Sequence, residues 1–116
     1  MEEIIAKIQV LIAESSDFSD IPTNKTLFST AASLNGLLSL LSGNVIQAES
    51  LYRADVRKYT EDGNSVASAE AKAKSEENYK TWRELQLVYE IGNEHIKLIK
   101  KFADKLEEER RQDLTL

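Results

Sequence analysis

Between residues 66 and 110 the chain has no proline and a single glycine, Gly92. From Trp82 onward its apolar side chains recur in steps of three and four: Trp82, Leu85, Tyr89, Gly92, Ile96, Ile99, Ala103, Leu106. This is the a/d seam of a helix that lies along another helix. A helix over residues 65–110 would extend roughly 65 Å, which predicts an elongated molecule. The start of this stretch, Ala69, Glu70, Ala71, Lys72, Ala73, Lys74, has little to bury, and residues 111–116 read as a frayed, disordered tail.

A second seam runs through residues 24–61: Leu27, Ala31, Leu34, Leu38, Leu41, Val45, Ala48, Tyr52, Asp55, Tyr59. It alternates four and three without a slip, so a second long helix is expected. Gly36 and Gly43 lie seven apart within it. Glycine costs about 1 kcal/mol in a helix interior, so the pair suggests either a close helix approach or a break near Gly43. Glu61, Asp62, Gly63, Asn64 and Ser65 form the clearest turn, with Ser65 or Asn64 as cap of the following helix. Folding there gives an antiparallel hairpin, with Gly92 near Leu34 and Gly36 and Trp82 near Gly43 and Val45. Residues 2–14 read as a short amphipathic helix with Ile4, Ile5, Ile8, Leu11 and Ile12 on one face. A helix this short is marginal alone and must dock, on its own chain or a neighbour. The connector at 15–25 holds Pro22, with Phe18 and Ile21 as apolar pins and Thr23 or Asn24 as a cap. The expected fold is all-α: a long, coiled-coil-like antiparallel hairpin plus a short N-terminal helix, in a single domain.

The chemistry is sparse. There is no cysteine, which excludes disulfides, thiolate catalysis and cysteine-ligated metals. His95 is the only histidine; flanked by Glu94 and Lys97, it reads as a helix-surface or flank residue. Glu90 and Glu94 form an i,i+4 carboxylate pair, but the Glu-x-x-His pattern of di-iron bundles is missing from both long helices. No catalytic constellation or phosphate loop is present, so no enzyme, cofactor or metal is expected. No apolar run reaches the ~20 residues that span a bilayer, and Met1, Glu2 and Glu3 do not resemble the basic start of a signal peptide. The expectation is a soluble, cytoplasmic protein.

Two surfaces stand out. Arg53, Arg57 and Lys58 on the second helix, with Lys72, Lys74, Lys80 and Arg83 on the third, interleave with Tyr52, Tyr59 and Tyr79. Cations that take phosphates beside rings that stack on bases suit single-stranded nucleic acid, although the net charge of -5 opposes it. Leu87, Ile91 and Leu98 form an apolar stripe beside the main seam that one hairpin partner does not cover, which points to a homo-oligomer or a protein partner.

The alanine- and charge-rich run at 69–74, then Tyr79 and Trp82, then Ile96, Lys97, Leu98, Ile99 and Lys100 give residues 51–101 a resemblance to small helical phage and prophage proteins encoded near recombination genes. It looks most like the UvsY-type recombination mediators. The resemblance implies an all-helical oligomer that binds single-stranded DNA and a recombinase, in the bacterial host cytoplasm. The residues themselves leave two readings open: a helical oligomeric accessory protein acting with single-stranded DNA, and a protein-binding adaptor or inhibitor with no nucleic-acid contact.

Overall fold

A computed structural model of the chain describes residues 1–16 and 24–115. The pins Phe18 and Ile21, the proline Pro22 and the cap at Thr23 or the Asn24 side chain lie outside the described residues. The elements are α1 (Glu2–Ser15), α2 (Asn24–Glu61), α3 (Val66–Ala73) and α4 (Glu77–Thr115), with no strand among the described residues. The fold is all-α, as the periodicity predicts. It divides into two compact units: unit 1 takes Met1–Leu40 and Glu90–Leu116, and unit 2 takes Leu41–Tyr89. Both long helices contribute to both units.

In unit 1, α1 packs on its own chain. Ile8 is fully buried, and Ile4, Ile5, Leu11 and Ile12 are half-buried on the same face. The α2 seam supplies Leu27, Ala31, Leu34 and Leu38; α4 supplies Ile96, Ile99 and Ala103. Leu27 and Ala31 cluster with Ile99 and Ala103, flanked by Phe102 and Leu106, while Leu38, further along α2, meets Gly92, earlier on α4. The two helices are therefore antiparallel. The Gly92 contact corrects the expected register. A Cβ on Gly92 would fall 2.6 Å from Leu38 Cδ2, whereas Gly36 has nothing within 4 Å. Glycine meets leucine, one turn beyond the predicted Leu34 level, and does not meet glycine.

In unit 2, α2 ends in a Schellman motif. Gly63, at φ 97°, reverses the chain. Its N–H donates to the Thr60 carbonyl at 3.0 Å, and the Asn64 N–H donates to Tyr59 at 3.2 Å. Only glycine adopts this conformation without a Cβ penalty. Ser65 then caps α3, its side chain accepting from the Ser68 N–H at 3.3 Å.

The expected unbroken helix over 65–110 is interrupted at Lys74, Ser75 and Glu76. Ser75 Oγ donates to the Lys72 carbonyl at 2.7 Å, and the N–H groups of Ser75 and Glu76 bond three residues back at 3.1 and 3.0 Å. The side chain competes for the backbone and the last turn tightens, which ends α3. Nor does α3 lack a buried face: Ala69 and Ala73 are fully buried. The inserted break advances the register, so Trp82 packs on Tyr52, about two turns beyond the predicted Val45 level. α2 runs unbroken through Gly43, as its continuous seam predicts, whereas α4 continues to Thr115 where a tail was expected from 111.

Candidate functional site

The basic-aromatic candidate lies within unit 2. Its centre is a trio of rings: Tyr52 stacks on Trp82 at 5.2 Å and 15°, and Tyr79 tilts against Tyr52 at 5.2 Å and meets the edge of Trp82 at 6.0 Å. The a/d positions of α2 and the first turns of α4 bring these rings together because each helix turns its seam inward. Tyr52 is only 3% exposed, and this corrects its assignment as a surface stacking residue. Tyr79 is half-buried in the same trio. The Tyr59 hydroxyl donates to a carboxylate oxygen of Glu76 in the α3–α4 break. That bond, with further help from partial burial and nearby carboxylates, raises the Tyr59 pKa above 10.0. The Asn78 amide donates to Asp55 at 2.9 Å, so the one polar seam residue has a partner across the helices.

The cations divide into two groups. Arg53 lies over the Tyr52 and Trp82 rings at 5.4 and 6.0 Å, and Arg83 lies 5.9 Å from the Trp82 centroid. Lys72 lies 5.9 Å from the Tyr59 ring and donates to Asn64 Oδ1 at 2.7 Å. Arg53 also pairs with Glu49 at 3.6 Å on the open surface, a geometry worth about 0–1 kcal/mol. Arg57, Lys58, Lys74 and Lys80 are exposed and take part in no ion pair among the described residues. The structure thus brings Arg53 and Arg83 together at Trp82 and uses the aromatic faces in its own packing. What is left for a polyanion is a scatter of solvated cations.

The apolar candidates stay outward. Leu87 in unit 2 is 55% exposed; Ile91 and Leu98 in unit 1, seven apart on one face of α4, are 49% and 55% exposed. Phe28 and Leu40 of unit 1 are also more than half exposed. A shallow groove of about 430 Å³ lies against α1, lined by Ala6, Val10, Leu11 and Leu37, with Glu3 and Lys7 at its rim.

Two features escape the sequence reading. His95 is a buried residue, 7% exposed, and its Nε2 lies 2.6 Å from Ser15 Oγ of α1. The Ser15 hydroxyl has one proton, which the Leu11 carbonyl accepts at 2.5 Å. Which of the two atoms donates in this contact depends on the imidazole tautomer. Burial lowers the His95 pKa below 6.5. The pair ties the C-terminal end of α1 to α4. The cue was available, since position 95 falls three residues after Gly92 and one before Ile96, beside the seam. The second feature is that α2 carries no charged residue from Thr26 to Ala48.

Among the described residues no group of His, Asp or Glu is placed to hold a metal ion, and no helix is long and apolar enough to cross a membrane. No protein-family model, curated protein or solved structure matches this chain, so its functional reading rests on its own geometry.

Proposed function

We propose that this chain is a non-enzymatic helical assembly protein that self-associates through outward apolar residues of its long helices. The observation that carries the reading is the exposure of Ile91 and Leu98 beside a seam whose members are already buried. The interior of unit 1 is complete without them, which leaves them available to another molecule. Leu87 extends the same chemistry on unit 2. A net charge of -5 keeps copies apart except where uncharged surface meets uncharged surface, and α2 offers a long charge-free stretch.

The test pairs light scattering of the parent with Ile91→Gln/Leu98→Gln. The parent scatters as an oligomer; the double variant is monomeric with unchanged helicity. A double variant of parental mass removes these two residues from the interface.

A second reading adds nucleic acid. The exposed heads of Arg53 and Arg83 at Trp82, with Arg57, Lys58, Lys74 and Lys80 nearby in sequence, support weak contact with single-stranded DNA through phosphates. Because Tyr52 is buried, this contact proceeds without base stacking on that ring. The resemblance to recombination mediators points the same way. Anisotropy of a labelled oligonucleotide at low salt should rise at tens of micromolar protein and fall steeply as salt increases. If no change appears, the protein-binding adaptor reading replaces it.

A further inference from the structure

We infer that α1 is an acid-released strap, latched to α4 by the buried Ser15–His95 pair. α1 is 14 residues long and has no side-chain hydrogen bond at its N-cap. An isolated helix of this length is marginal in water, so its order depends on docking. Its docking face is one fully buried residue, Ile8, with half-buried neighbours, and its side-chain hydrogen bond to α4 among the described residues is the contact at His95.

The buried setting of His95 suits a neutral ring. Its partner is a hydroxyl, not a carboxylate. Among the described residues of the other two helices, Glu14 on α1 is exposed, and α2 has no charged residue from Thr26 to Ala48. On α4 itself, Glu94 and Lys97 pair with each other in solvent at 3.1 Å. Asp17 and Asp20, next along the chain, lie outside the described residues. Protonation would place an imidazolium in a buried setting with no anion among the described residues to receive it, which favours the undocked state, where the ring is hydrated.

The sign follows from linkage. The folded ring binds its proton less readily than the free one, so docking is strongest above the ordinary value near 6.5. It weakens as pH falls through that value toward the lower folded one. Release would uncover the apolar surface that Ile8 covers and offer it to another molecule.

Hydrogen exchange of the α1 amides, corrected for intrinsic rates, is the test, read between pH 7.0 and 5.0. Protection of α1 should fall by about threefold or more, while Trp82 emission from unit 2 stays constant. His95→Gln should make α1 protection independent of pH. Should that variant undock α1 throughout, His95→Leu fills the same space without a titrating group and carries the same expectation. Because the chain has one histidine, its ring titration by NMR is unambiguous and must lie below 6.5. A ring titrating at or above that value, or α1 protection that does not change with pH in the parent, overturns the latch.

Discussion

In unit 1 the two long helices enclose leucines, isoleucines and alanines, and the closest approach is a missing side chain, Gly92, against Leu38. In unit 2 the same two helices enclose three aromatic rings, a Tyr–Glu bond and an Asn–Asp bond. Aliphatic burial has no direction, so shape alone sets how unit 1 packs. Rings, caps and polar pairs have preferred geometries, so unit 2 fixes its register by direction as well. Unit 1 should accordingly respond most to changes of volume, and unit 2 to the loss of particular groups.

The largest expected effect is in unit 2. Tyr52→Ala removes the ring against which both Tyr79 and Trp82 pack, and should cost about 3–5 kcal/mol. Trp82 is the only tryptophan, so its emission follows unit 2 while far-UV circular dichroism follows both units. Urea unfolding of the variant should separate the two signals, Trp82 changing first. Coincident curves would show that the two chemistries do not act independently.

Next comes a volume test in unit 1. Gly92→Ala gains about 1 kcal/mol of helix propensity but drives its Cβ into Leu38, which is 2% exposed and hemmed in. The net should be a loss of about 1–2 kcal/mol. Gly36→Ala, with open space around it, should stabilise by up to about 1 kcal/mol. Thermal melts showing the same sign for both glycines would remove the close approach as the register-setting contact.

Two smaller effects sharpen unit 2. Ser65→Ala deletes the α3 cap and should cost about 1 kcal/mol, seen as faster amide exchange in α3. Tyr59→Phe tests the hydrogen bond to Glu76. The folded pKa of Tyr59 is raised, so its contribution is present below pH 10.0 and lost as pH climbs through that value. Alkaline stability profiles of parent and variant should converge above pH 10; profiles that stay parallel would show that the bond does not matter.

The seams were legible because period and burial coincide. All ten predicted α2 positions and all eight of α4 are buried or half-buried, and Leu87, Ile91 and Leu98 are exposed as read. The turn was legible because Gly63 and Ser65 each have a fixed conformational use. The break at Lys74, Ser75 and Glu76 was hidden: alanine and lysine favour helix, and the only cue is Ser75 followed by two acids suited to a helix start. That one miss shifted the register and misplaced the partners of Trp82 and Gly92. The basic-aromatic surface was half legible. Cation exposure follows from residue type, but whether Tyr52 stacks on a base or on Trp82 depends on that same register. His95 is buried, so of its two readings only the flank one stands: its polarity suggested the surface, while its place beside Ile96 turns it inward.

Sedimentation equilibrium of the unmodified chain across the micromolar range tests the central claim of self-association most directly. The account predicts a mass that is a multiple of 13.1 kDa and rises with concentration. A constant 13.1 kDa species at every concentration would contradict it.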